Sequence, residues 1–278
     1  MTVEATHVTY TRTEDCSVSL VRRVAAMLDL PMDAISDGAP LPRGWHFLLM
    51  GADTRRSELR ADGFPGLGAP IPDLGLPRLL QGGRSVEYHH DIPIGAVVTR
   101  TSGVADIIEK TSASGRKAIV KIVHSLRLAN HAEPAITETQ TYLLLPAQAG
   151  DKESVGEPVA VSASYTKVVV PDETLLFQYS ALGFNSHKIH IDRGYAREVE
   201  GFPDLVVNGG LTTLFLTEFA RRELALNLSR FTMKNLAPLF CGRPVTIAAD
   251  GSGTERSLKA YDDCGKLAAV MEAEINDL

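Results

Sequence analysis

The chain is poor in cysteine: Cys16, Cys241 and Cys264 are three among 278 residues. No two have zinc-knuckle spacing, and an odd, scattered set builds no disulfide framework. Long apolar runs are missing too. None approaches the roughly 18 residues that a membrane span requires, so no membrane partner is expected. Positive charge is in the minority, 28 Lys and Arg against 34 Asp and Glu, for a net charge of −6. No basic run offsets it, which argues against a nucleic-acid partner but leaves single basic residues able to hold a phosphate-bearing ligand. The opening residues, "MTVEATHVTYTRTEDCS", have neither a basic nor an apolar leader region. A secretory signal is therefore not expected, and the cytoplasm is the default location.

What is present is an ordinary core-forming composition, 44% hydrophobic and 22% charged. "SVSLVRRVAAMLDLP" carries Val18, Val21, Ala25 and Leu28 at helical spacing behind a Ser17 cap, with Pro31 as the stop. Gly63 to Gly83 is dense in Gly and Pro and reads as an ordered loop over a core. "AVVTRTSGVADII", "KAIVKIVHSLRLA" and "AITETQTYLLL" read as strands, the first two joined by a tight turn at Ser112 to Gly115. A polar stretch after Pro146 is the best domain boundary. Beyond it come more strands and one helix, apolar nearly all round at its start, from about Leu211 to Arg222. "HHDIPIGAVVTRTS" and "KNLAPLFCGRPVTIAA" share an order of Pro, apolar step, Gly and β run, which predicts a duplicated α+β unit.

Chemistry concentrates in "FNSHKIHID", Phe184 to Asp192. His187 and His190 with Asp192 could ligate a metal if they lay on a helix. The lead-in "TLLFQYSALGF" reads as strand then turn, which does not put both imidazoles on one face, so no metal is expected. Acid/base work fits better: a neutral imidazole exchanges protons near neutral pH when a polar neighbour such as Asn185 orients it. Downstream, Asn208 and Gly209 stand at the N-terminus of the apolar helix. Free N–H groups and the helix dipole there suit a carbonyl that becomes an enolate. The bland alternative makes His187 a surface residue, His190 a satisfied core histidine and Asn208 to Gly210 an ordinary cap. Residue chemistry alone leaves both open.

"SALGFNSHKIHIDRGYA" followed by "EGFPDLVVNGGL" resembles the MaoC-like, double-hotdog dehydratases and hydratases of acyl thioesters, in particular the hydroxyacyl-thioester dehydratase type 2 branch. The (R)-specific enoyl-CoA hydratases of that family carry Gly-Asp-x-Asn-Pro-x-His with Ala or Ser six residues beyond. His190 matches the histidine and Ala196 the small residue, while Asn185 replaces the aspartate and His187 the asparagine. The type 2 branch itself shows Phe-Asn-x-His-Arg-Ile-His, with Lys188 here for the arginine. "PRLLQGGRSVEYHHDIPIG" and the run from Lys110 to Leu144 resemble the N-terminal unit, so the resemblance covers Trp45 to Ile275.

The resemblance implies an α+β double hotdog, two antiparallel sheets each wrapping a central helix. Residues 1–150 would form a non-catalytic, binding unit and 151–278 the catalytic one. It implies reversible hydration of an enoyl thioester, without cofactor, by a homodimer acting on acyl-CoA or acyl-carrier protein. His190 would be the base, Asn185 would hold the water, the Gly209 N–H would stabilise the enolate, and Asn208 would border the substrate. His187 would assist, or be an exposed strand end. Branch members include enzymes for mesaconyl-CoA and itaconyl-CoA. Arg84 is then a candidate for a second carboxylate or a CoA phosphate, against the alternative of an ordinary solvated arginine. Lys234 and Arg243 are candidates for CoA phosphates. A hotdog thioesterase and a non-catalytic thioester-binding subunit are the rival functions.

Overall fold

The computed structural model describes residues 9–112, 115–147, 159–250 and 254–276. The expected turn at Ser112 to Gly115 and the boundary at Gly150 fall wholly or partly outside them. Among the described residues ten antiparallel strands make one sheet. They are β1 Thr9–Asp15, β2 Arg78–Tyr88, β3 Val97–Ser112, β4 Gly115–Leu128, β5 Ile136–Leu145, β6 Tyr165–Val169, β7 Leu228–Asn235, β8 Val245–Asp250, β9 Glu255–Tyr261 and β10 Leu267–Ile275. The sheet order is β1-β3-β4-β5-β2-β7-β10-β9-β8-β6. Outward from the β2–β7 join, each half runs through its strands in the same order, as a duplicated unit would.

The α-helices among the described residues are α1 Val18–Met27, α2 Glu173–Leu182 and α3 Gly209–Arg222. Ser17 caps α1, its side chain accepting from the Leu20 N–H. The expected apolar helix is α3, buried on nearly every side and packed against β7 to β10. Arg221 and Arg222 in its last turn sit at the negative end of the helix dipole. Among the described residues no helix is long and apolar enough to cross a membrane.

Three local expectations change. "TLLFQYSAL" is helix α2, not strand: Asp172 accepts from the Leu175 N–H at 2.8 Å, and Leu176 and Tyr179 turn inward at helical spacing. The loop from Gly63 ends at Pro77, because Arg78 to Gly83 already pair with β5, with a bulge between Gln81 and Gly83. β1, which the sequence did not suggest, pairs along β3.

The first half also lacks a counterpart of α3 among its described residues. A 3₁₀ turn, Trp45–Leu49, and the loop after it take the helix's place. Phe64, Leu67, Leu74 and Leu76 of that loop cover Ala118, Val120 and Ile122 of the sheet. The reason is local: a segment that alternates Gly and Pro lacks N–H donors and has too much backbone entropy for a helix. Covered by a loop rather than a helix, the first half keeps open space at the join.

Candidate active site

A cavity of about 330 Å³ lies between α3, the segment from Asn185 to His190 and strands of both halves. Helix α2 ends where Phe184 takes φ 47°, and the chain turns back through Asn185, whose Oδ1 accepts from the His187 N–H at 3.1 Å. A 3₁₀ turn, Lys188–His190, then brings both histidines inward. Their rings meet edge to face, 5.5 Å between centroids and 88° between planes. Both imidazoles therefore do share one face, because α2 and the 3₁₀ turn replace the strand on which the sequence reading separated them.

His190 is buried, and its Nδ1 hydrogen bonds to the Val206 carbonyl at 2.7 Å. A carbonyl only accepts, so Nδ1 carries the proton and the Nε2 lone pair is left for chemistry. Burial pushes its pKa down to about 3, with His187 adding to the fall and the carbonyl bond opposing it. The ring is neutral at pH 7.

His187 is buried as well, not an exposed strand end. Its Nε2 lies 3.8 Å from the Asp62 carboxylate, and its ring meets the Phe64 ring edge-on. Burial lowers its pKa while Asp62 works against that. Asp62 comes from the first half and was invisible to sequence reading. Its loop is fastened to the segment that carries both histidines: the Lys188 N–H donates to the Asp62 carbonyl at 2.9 Å, and the Ser186 hydroxyl to the Gly63 carbonyl at 2.7 Å. Gly63 has φ 77°, and a Cβ there would stand 2.5 Å from the Ser186 carbonyl oxygen.

Helix α3 begins at Gly209 and aims its N-terminus at this cavity. Asn208 holds the N-cap position but does not cap. It is buried, its Nδ2 donates to the Ser180 hydroxyl at 3.3 Å, and its Oδ1 has no partner among the described residues. The first N–H groups of α3 have no intrahelical acceptor. Side chains crowd them: a Cβ at Gly209 would stand 2.8 Å from both Gln81 Oε1 and Asn235 Nδ2, and one at Gly210 would overlap the Tyr179 hydroxyl. Only glycine keeps that helix end open to a carbonyl.

Arg84 is buried in the cavity wall, contrary to the solvated alternative. Its Nη1 lies 3.1 Å from Glu138 Oε1, and its Nη2 donates to Gln81 Oε1 at 3.0 Å. A Cβ at Gly210 would stand 3.2 Å from Nη2, so the guanidinium borders the first turn of α3. Burial opposes its charge, but Glu138 and three buried tyrosines outweigh that and raise its pKa. Burial likewise opposes the Glu138 charge, yet Arg84 and the His46 hydrogen bond, 2.8 Å long, hold its pKa well below the carboxylate range. Gln140 donates to Glu138 at 2.8 Å, and Tyr142 donates to Gln140.

Lys234 and Arg243 are not brought here. Lys234 points to the exposed face of β7, while its neighbour Asn235 lines the cavity and donates to the Gln81 carbonyl at 3.0 Å. Arg243 packs over the Phe240 ring near Asp263 and does not line the cavity.

Residues 44–241 match the family model described as hydroxyacyl-thioester dehydratase type 2. The chain belongs to that family. A mesaconyl-C(4)-CoA hydratase of Chloroflexus aurantiacus is 32% identical over 265 residues, 94% of this chain and 93% of that one. A MaoC-like dehydratase of Phytophthora capsici superposes with a TM-score of 0.70 at 15% identity, over 99% of this chain and 97% of that one. A Mycobacterium tuberculosis protein described as a double hotdog superposes with a TM-score of 0.62 at 11% identity, over 98% and 97% of the two chains. For this type 2 dehydratase the double hotdog is thus the fold, with its two sheets merged into one.

Proposed function

We propose that this chain adds water reversibly across the 2,3 double bond of an enoyl thioester. We infer further that the acyl group is short and ends in a second carboxylate, as in mesaconyl-CoA or itaconyl-CoA. Family membership supports the first part. A buried arginine at the mouth of helix α3 carries the second. Among the described residues Arg84 pairs with Glu138 through Nη1 and donates to Gln81 through Nη2, which leaves further N–H donors for a carboxylate. It stands against the same helix turn that would take the thioester carbonyl, so the two groups it separates can be only a few atoms apart. The identified mesaconyl-C(4)-CoA hydratase relative has such a substrate in its name.

In this reading the thioester oxygen lies at the Gly209 and Gly210 N–H groups. The Asn185 amide donates to the water, and His190 Nε2 takes one of its protons as its oxygen bonds to C3. The π electrons move onto the thioester oxygen, where the helix N-terminus stabilises the enolate. One such donor is worth on the order of 3 kcal/mol. A proton then reaches C2 and the carbonyl re-forms. In the reverse direction protonated His190, acidic because it is buried, delivers its proton to the departing hydroxide.

The test is absorbance at the enoyl-thioester band with crotonyl-CoA and mesaconyl-CoA. Hydration lowers it without free thiol, and faster with the dicarboxylic substrate. Thiol release would instead mark a thioesterase, and no change in either signal a binding subunit. The same reading carries a homodimer, checked by mass in solution.

A further inference from the structure

The hydration above needs a proton at C2 as well as a base for water, and His190 alone has so far been given a proton to move. His187 lies against it, and Asp62 lies against His187. Resting on the hydratase reading, we propose that Asp62, from the first half of the chain, is a positioning residue for His187, and that His187 carries the second proton. His190 Nε2 removes a proton from water as the oxygen bonds to C3. That proton passes from His190 to a ring nitrogen of the neighbouring His187, whose cation faces the Asp62 carboxylate. His187 delivers it to C2 as the enolate collapses to the thioester. Both rings end neutral, as they began, and one water has been added.

Four observations carry this. The rings are in contact, with centroids 5.5 Å apart. The carboxylate lies 3.8 Å from His187 Nε2, close enough to stabilise a cation in a site with little solvent. Asp62 is buried and held in place: Arg60 Nε donates to it, and its Oδ1 accepts from the Phe64 N–H at 2.9 Å. Finally, three further bonds from Ser186 and Lys188 tie the loop to the catalytic segment. All three end on backbone carbonyls of residues 61 to 63, so they fix where the Asp62 side chain stands against His187. The charged groups facing His187 are Asp62 and Glu200, which favour its cation, and Arg60, which opposes it. His190 is the remaining titratable neighbour.

The experiment is Asp62→Asn, which keeps an acceptor for the Phe64 N–H. Loss of an oppositely charged neighbour should move the NMR titration of His187 to lower pH by about one unit. In hydration kcat should fall about 10-fold, with KM nearly unchanged, and the acid limb of the kcat profile should move to lower pH. Asp62→Glu should restore part of both. In a His187→Asn background Asp62→Asn should add nothing to the loss of kcat. An unchanged titration and profile in Asp62→Asn would overturn the proposal. So would a fall in kcat that is just as large without His187, since Asp62 would then act on the loop alone. Should the wild-type chain hydrate no enoyl thioester, the hydratase reading fails by itself. The titration still decides whether Asp62 governs the His187 ring.

Discussion

The inward faces of β5 and β10 occupy matching places in the two halves, and they differ in kind. β10 turns Ala269, Met271 and Ala273 towards the helix that covers it. β5 turns Glu138, Gln140 and Tyr142 inward, linked with Arg84 and His46. Where a helix seals the sheet, the core is oily. Where a loop replaces the helix, β4 stays apolar beneath the loop, but the inward residues of β5 are polar and bonded to one another. Buried polar groups are costly unless paired, so a network of this size points to ligand contact rather than to stability.

The largest effect should come from the second half. His190→Ala should lower kcat for hydration by about 10²- to 10⁴-fold, with substrate binding changed much less. Full activity in that variant would remove the base from the account.

The first half should respond in stability. Glu138→Ala strands the Arg84 charge and should cost about 3 to 5 kcal/mol in urea unfolding. Met271→Ala, on the oily side, should cost about 2 to 5 kcal/mol, but through a cavity and with no pH dependence. A near-neutral Glu138→Ala would mean that the network is wet and loosely held.

Histidines sharpen the contrast through pH. Burial holds His124, in the first half, at about 4 and His190, in the second, at about 3, both below the unfolded value. Between those values and about pH 6.5 the unfolded chain binds protons that the folded chain refuses, so stability falls as pH falls. Each histidine should contribute a slope of up to about 1.4 kcal/mol per pH unit in that window. His124→Gln should flatten part of the slope and leave the rest.

How much of this was legible follows the same division. Asn185 and His190 lie within six residues and Gly209 opens the next helix, so the roles proposed for them depend on local geometry that motifs carry. Asp62 and Glu138 reach the site through loop docking and strand register, which no local pattern encodes. Lys234 shows the limit: one step along a strand reverses the face, so Asn235 lines the cavity and Lys234 does not. Helix α2 was misread because Leu, Phe and Tyr fit either element, and the deciding feature was a single capping aspartate.

The smallest effect concerns Asn185. Asn185→Asp adds a negative charge near the water, and a substrate carboxylate about 4 Å away would lose about 1 kcal/mol in a wet site. The ratio of kcat/KM for mesaconyl-CoA to that for crotonyl-CoA should fall accordingly. An unchanged ratio would place Asn185 away from the second carboxylate.

The central claim is that the polar first half reads a second carboxylate while the second half does the chemistry. The most direct measurement is the mesaconyl-CoA to crotonyl-CoA ratio of kcat/KM in the wild type and in Arg84→Met with Glu138→Gln, a pair that removes both charges together. The account predicts a wild-type ratio well above one, and a fall of about 10²-fold in the double variant, mostly through the dicarboxylic substrate. An equal loss on both substrates, or none on either, would contradict it.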